Sequence, residues 1–187
     1  MCPRVLVPIA DGSEEIEAVC IIDTLRRADV DVTVASVMGR REVKASRGTR
    51  IVADALIEAC ANETYDLIVL PGGMPGAEHL RDSPQLVALL RAQREAGQAY
   101  GAICAAPAVA LLPHGLLAGH RATCFPSFMS HLGDARDVEA VEDRVVVDEN
   151  VITSRGPGTA IEFSLKLVEV LFDAETAATI GERMLVG

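Results

Sequence analysis

Ala99-Tyr100-Gly101-Ala102-Ile103-Cys104-Ala105-Ala106-Pro107-Ala108-Val109-Ala110-Leu111-Leu112 reads as a buried strand that runs straight into a helix. Small residues and Pro107 mark the helix start, where a proline forfeits no intrahelical hydrogen bond. Pro113 sets its end. Cys104 falls at the junction, so its sulfur faces the first turn, where unpaired backbone N–H groups point outward. Such a field favours thiolate over thiol and draws a cysteine pKa below its free value of about 8.5. The arrangement is the cysteine counterpart of a nucleophile elbow, in which a sharp strand-to-helix turn exposes a reactive side chain. Local sequence leaves one alternative, a small inert thiol in the core.

Outward from this stretch, strands and helices alternate. Arg4 to Ala10 reads as a first buried strand, with Pro8 placed near its end. Asp11-Gly12-Ser13 is a turn with Ser13 as N-cap, and Glu14 and Glu15 suit the positive end of a helix running to about Ala28. Asp31 to Val37 alternates as a strand, and Glu42 to Ser46 with Arg50 to Ala53 form a hairpin around Arg47-Gly48. Asp66 to Leu70 is a strand stopped by Pro71-Gly72-Gly73. Ser83 and Pro84 open a helix to about Ala96. A short strand lies near Arg121 to Cys124, and Val145 to Val147 pairs with Asn150 to Ser154. Thr159 to Glu162 has the spacing of a capping box before another helix, and a last helix covers about Ala174 to Leu185. Alternation of this kind implies an α/β fold, doubly wound, with a mostly parallel central sheet and one domain over residues 1–187.

Composition narrows the function. Half of the 187 residues are hydrophobic while aromatics make up only 3%, so the core rests on Val, Ile, Leu and Ala. A net charge of −10, without a long basic run, argues against nucleic acid as a partner. No apolar stretch reaches the roughly 20 residues that span a bilayer, and the first strand begins too early for a signal peptide. Five cysteines (Cys2, Cys20, Cys60, Cys104, Cys124) without a C-x-x-C pair argue against a disulfide framework or zinc site. They point to a reducing, cytoplasmic setting.

In an open parallel sheet, ligands bind beyond the carboxyl ends of the strands. Asp11 to Glu17, Pro71 to Gly76, Cys104 to Pro107 and Ser154 to Gly158 all fall there. Glu17 sits between Ile16 and Ala18 on the first helix, where apolar neighbours raise a carboxyl pKa. Protonated, it could donate a hydrogen bond to the Cys104 sulfur and act as general acid or base. The alternative is that Glu14, Glu15 and Glu17 form a solvated acidic turn. None of His79, His114, His120 and His131 adjoins Cys104 in sequence, and no metal-ligand spacing is present. The Pro71 to Gly76 loop lacks the Lys and Ser/Thr of a phosphate-binding loop.

Ala10-Asp11-Gly12-Ser13-Glu14-Glu15-Ile16-Glu17-Ala18, Val69-Leu70-Pro71-Gly72-Gly73, Ala102-Ile103-Cys104-Ala105-Ala106-Pro107 and Thr153-Ser154-Arg155-Gly156-Pro157-Gly158-Thr159 together resemble the ThiJ/PfpI superfamily. Within it they are similar to the branch of the Parkinsonism-associated protein deglycase, and to its bacterial YajL type most of all. The resemblance implies a flavodoxin-like three-layer domain and a homodimer. It makes Cys104 the oxidisable nucleophile and Glu17 the protonated carboxyl on its sulfur. It assigns Gly72, Gly73 and Ala105 to the substrate- and oxyanion-binding backbone, and Pro157, Arg27 and Arg47 to the dimer side of the site. The activities it implies need no cofactor and no metal: conversion of methylglyoxal or glyoxal to hydroxy acids, repair of early adducts on glycated proteins, and a holdase-like chaperone role.

Two positions depart from relatives of this superfamily. Phe125 stands in Cys124-Phe125-Pro126 where Parkinsonism-associated members carry a histidine, so proton transfer falls more heavily on Glu17 and slow turnover is expected. Ala105 follows the cysteine where peptidase-like branches have histidine, which argues against peptidase activity. Two functions therefore compete: a glyoxalase or protein deglycase working through Cys104, and an oxidative-stress sensor and redox-regulated chaperone using the same thiol.

Overall fold

Side chains of a β-strand alternate between its faces, so a strand that is apolar at every position must feed two cores. The computed structural model, which describes residues 2–186, shows this in each central strand. β1 (Arg4–Ile9) directs Val5, Val7 and Ile9 into one core and Leu6 into the other. α1 (Glu15–Arg27) leads to β2 (Asp31–Ser36), then to the hairpin of β3 (Glu42–Lys44) and β4 (Arg50–Val52), and to β5 (Ala55–Leu56). β6 (Leu67–Leu70) repeats the alternation, with Leu67 and Val69 on one side and Ile68 and Leu70 on the other. α2 (Gly76–Arg81) and α3 (Pro84–Glu95) precede β7 (Ala99–Ile103). β8 (Arg121–Ala122), α4 (Met129–Gly133) and β9 (Glu139–Ala140) form an excursion before the hairpin of β10 (Val145–Asp148) and β11 (Val151–Ser154). α5 (Ala160–Leu171) and α6 (Ala174–Arg183) close the chain.

The main sheet has seven strands in the order β10-β11-β7-β6-β1-β2-β5, parallel except for β10 against β11. Residues of α1 and α5 fill one core, and those of α2, α3 and the segment after β7 fill the other. The fold is thus the flavodoxin-like α/β sandwich. The chain leaves β1 toward β2 on one side and returns to β6 on the other, so the topology switches between β1 and β6. Loops that follow these two strands diverge and leave a crevice at their carboxyl ends. β7 borders β6, which brings Cys104 to the same crevice.

Several local expectations change. Pro8 lies inside β1, beyond the Val5 and Leu6 positions that pair with β6, so its missing N–H leaves no gap in that ladder. Ser13 is not the N-cap of α1: its hydroxyl accepts from the Ala10 N–H at 3.0 Å, and Glu14 occupies the cap position. Thr159 likewise makes no side-chain cap on α5, because its Oγ1 is committed backward to the Gly156 N–H at 3.1 Å and to Ser154 at 2.7 Å. The segment after Cys104 is a wide π turn, Pro107–Leu111, then a 3₁₀ turn, Leu112–His114, in place of a regular α-helix. Ser83 does cap α3, accepting from the Leu86 N–H, with Pro84 in its first turn.

Candidate active site at the end of β7

Cys104 adopts φ 66°, in the left-handed region that non-glycine residues visit at a cost on the order of 1–3 kcal/mol. Its backbone is held on both sides. The Cys104 N–H donates to the Ser154 carbonyl at 3.0 Å, and its own carbonyl accepts from the Phe125 N–H at 2.8 Å. The elbow expected from the sequence is therefore present, and it leaves the thiol half-buried.

Gly72 and Gly73 bring a second backbone against this elbow. A Cβ on Gly72 would stand 2.6 Å from the Cys104 Cβ and 2.8 Å from the Ile103 carbonyl oxygen, so only glycine fits. Gly73 has φ 85°, and a Cβ there would strike the Gly12 carbonyl oxygen at 2.4 Å. With both side chains absent, the N–H groups of Gly73 and Ala105 come near enough to the Cys104 sulfur to favour its charged form.

Glu17 is completely buried on the inner face of α1. Its Oε2 accepts from the Gly72 N–H at 2.8 Å, while Oε1 is buried without a hydrogen-bond partner. The Cys104 thiol lies close enough to this carboxyl for each to shift the other's acidity. Burial, reinforced by the Glu14 charge, raises the Glu17 pKa from 4.5 to about 7 against the opposing Gly72 N–H. The solvated acidic turn is thereby excluded for Glu17.

For the sulfur, the expectation of a ready thiolate is corrected. Burial pushes the Cys104 thiol up to about 12, and a charged Glu17 adds to the rise. The Gly73 and Ala105 N–H groups pull the other way without prevailing. Desolvation and a like charge outweigh the dipoles at the turn. The pair holds two protons below about pH 7 and one above it, the second leaving only at far higher pH. An ionised Glu17 is thus placed to accept the thiol proton as sulfur attacks, a role suited to a base with pKa near the working pH.

The remaining predicted residues lie farther out. Arg47 is exposed in the β3–β4 turn, its N–H donating to both Glu15 carboxylate oxygens at 3.0 Å. Arg27 is exposed at the opposite end of α1, roughly 18 Å along the helix from Glu15 at ~1.5 Å per residue. It pairs with Asp23 at 2.6 Å. One chain does not bring these arginines together. Pro157 lies in a short turn before α5, lining a depression with Phe125 and Pro126.

Two features escaped the sequence reading. Glu15 is a joint between α1 and the hairpin: it accepts from the Arg47 N–H and from the Ser46 hydroxyl at 2.9 Å, which lower its pKa to about 2 despite opposing desolvation. No spacing rule signals a carboxylate that bonds a turn more than thirty residues away. Cys124 is buried in the core of α2, α3 and the segment after β7, whereas Cys104 packs against the core of α1 and α5. His114, His120 and His131 are engaged elsewhere, with the Arg81 carbonyl, Asp148 and Phe128 respectively. Among the described residues no cluster of three or more His, Cys, Asp or Glu could hold a metal ion, and no helix is long and apolar enough to cross a membrane.

Comparison with known proteins places this geometry in context. The model of the DJ-1/PfpI family matches residues 3–170. Protein DJ-1 homolog B of Arabidopsis thaliana is 50% identical over 184 residues, 98% of this chain, but the chain spans only 41% of that relative. Glutathione-independent glyoxalase DJR-1.2 of Caenorhabditis elegans is 41% identical over 167 residues, covering 89% of this chain and 87% of the relative. The solved structure of oxidized Toxoplasma gondii DJ-1 is 52% identical and superposes with a TM-score of 0.95, covering 98% of each chain.

Proposed function

The chain belongs to the DJ-1/PfpI family, and on that premise we propose that it is a cofactor-independent glyoxalase that converts 2-oxoaldehydes to 2-hydroxy acids. The observation that carries the reading is the Cys104 sulfur on a strained elbow, with the Glu17 carboxyl and the Gly73 and Ala105 N–H groups converging on it. A relative named as a glutathione-independent glyoxalase supports it. Sulfur adds to the aldehyde carbon of methylglyoxal while Glu17 takes the thiol proton, and the backbone donors stabilise the oxyanion. Glu17 then moves the proton from the former aldehyde carbon to the neighbouring one, which becomes a hydroxyl-bearing carbon, and the carbon on sulfur becomes a thioester. Water hydrolyses that thioester, releasing lactate and the thiol. Substrate and one water account for every atom, and no oxidant enters.

The same addition extends to early aldehyde adducts on proteins, which gives the deglycase activity. We assign a homodimer in a cytoplasmic setting, with Pro157, Arg27 and Arg47 on its dimer side. Support comes from the outer face of α1, where Ile16 and Val19 are 53% and 49% exposed, and from Val52 of the hairpin at 63%. A second reading, oxidation of Cys104 in a stress sensor or redox-regulated chaperone, draws on the oxidized state named for the Toxoplasma gondii structure. The deciding experiment is lactate formation from methylglyoxal without glutathione, wild type beside Cys104→Ser. Lactate from the wild type alone supports the enzyme; equal rates from both remove Cys104 as nucleophile.

A further inference from the structure

β11 acts on the nucleophile elbow twice. The Ser154 carbonyl accepts directly from the Cys104 N–H at 3.0 Å. The residue before it, Thr153, works at one remove. It is completely buried, and its Oγ1 accepts from the Thr123 N–H at 3.0 Å. Thr153 lies two positions from Val151, so it faces the core of α2, α3 and the segment after β7. Over that face runs the stretch from Arg121 to Phe125. In extended chain, alternate N–H groups point to the same side, and here three in succession each find an acceptor. The Arg121 N–H donates to Asp148 Oδ2 at 3.1 Å, the Thr123 N–H to Thr153 Oγ1, and the Phe125 N–H to the Cys104 carbonyl at 2.8 Å. Two of the three acceptors are side chains. The register of this stretch on the main sheet is therefore set by Asp148 and Thr153, and Thr153 is the one bonded nearer the elbow.

The Cys104 carbonyl and the Ala105 N–H are the two ends of one peptide group. That group is planar and trans, so its C=O and its N–H point in opposite directions. Holding the carbonyl against the Phe125 N–H thus aims the Ala105 N–H the other way, and that N–H favours the charged sulfur. The φ of 66° at Cys104 belongs to a region that persists only where the surroundings over-determine it.

From this chain of bonds we infer that Thr153 is a positioning residue: its hydroxyl sets the Thr123 to Phe125 stretch in the register that fixes the Cys104–Ala105 peptide, and so aims the Ala105 N–H at the oxyanion formed in the reaction. The catalytic part of the inference rests on the glyoxalase reading; the effect of the same N–H on the sulfur does not. Valine has nearly the shape of threonine without its hydroxyl, so Thr153→Val leaves the buried Thr123 N–H without an acceptor. Thr153→Ser keeps that acceptor.

The test measures kcat and KM for lactate formation from methylglyoxal, and the rate of Cys104 alkylation by iodoacetamide at one mildly alkaline pH, in the wild type, Thr153→Val and Thr153→Ser. In Thr153→Val, kcat should fall about tenfold with KM unchanged, a part of the ~10²–10³ lost when an oxyanion donor is removed outright. Alkylation should slow as well, because fewer thiols ionise once the donor is misaimed. Thr153→Ser should recover the greater part of both rates. Loss of packing alone would open the elbow and speed alkylation. An unchanged kcat, alkylation that is unchanged or faster, or an equal loss in the two variants overturns the inference. Should Thr153→Val fail to fold, Phe125→Pro beside Phe125→Ala tests the same seam. Proline suits the Phe125 backbone at φ −60° and removes the N–H that alanine keeps. Phe125→Pro should then be alkylated more slowly than Phe125→Ala, and equal rates overturn the inference. A wild type that forms no lactate counts against the glyoxalase reading alone, and the alkylation rates then decide the role of Thr153.

Discussion

Replacing Glu17 by Gln removes a titration that the fold itself makes unfavourable. The carboxyl ionises near 4.5 in the unfolded chain and near 7 in the folded one. The folded protein therefore holds this proton more tightly, and the stabilisation is fully present below pH 4.5. It is lost as pH rises toward 7 and stays lost above it. At ~1.4 kcal/mol per pH unit, the rise corresponds to roughly 3 kcal/mol. Gln is close in shape to the protonated acid, and its side-chain oxygen still accepts from the Gly72 N–H. Urea unfolding at pH 4.5 should thus find the two proteins similar, whereas at pH 8 Glu17→Gln should be the more stable by roughly 3 kcal/mol. Against a total stability of ~5–15 kcal/mol, this difference is readily measured. Subtracting the two pH profiles cancels every other titrating group that does not touch Glu17. Parallel profiles from pH 4.5 to 8 would refute the argument that burial governs this carboxyl.

The same substitution should move the half-point of Cys104 alkylation to lower pH, since a charged Glu17 holds the thiol up; an unmoved half-point would mean that burial alone sets it. Gly72→Ala should lower the unfolding free energy measured in urea by about 1–3 kcal/mol and slow alkylation of Cys104, because the new methyl would stand 2.6 Å from its Cβ. Glu15→Ala should release the β3–β4 turn at a cost of about 1–2 kcal/mol at pH 7, discounted for partial exposure. The cost should shrink as pH falls from 4.5 toward 2, where the native carboxylate takes up its proton; a penalty constant across that range would exclude the carboxylate clamp. Mild peroxide followed by mass spectrometry should find Cys104 oxidised ahead of Cys60 and Cys124, both fully covered by the core; oxidation of all three together would deny the site its selectivity.

Much of the site was readable along the chain because its parts follow strands. Apolar runs such as Leu67 to Leu70 have only one way to be satisfied, burial on both faces, and the glycines after them permit close backbone approach. Capping was less legible. A serine or threonine hydroxyl at a helix entrance has several backbone donors within reach, and Ser13 and Thr159 each chose a turn over the helix. Phe125 drew notice in the sequence only as a missing histidine; its bond to the Cys104 carbonyl depends on the excursion through β8 returning beside β7.

Periodicity, turn residues and the strand-to-helix junction are local properties, and for them the amino-acid order was enough to yield an α/β sandwich with Cys104 at a carboxyl edge. The acidity of that sulfur is a different kind of quantity. The energy of a charge depends on everything that replaces water around it, and Glu17 comes near Cys104 only because α1 packs over β1 and β2 with its first turn bonded to the Gly72 loop after β6. The dipoles of the turn were visible in the sequence, but only the assembled fold buried the thiol beside a carboxyl, and burial decided which effect prevailed.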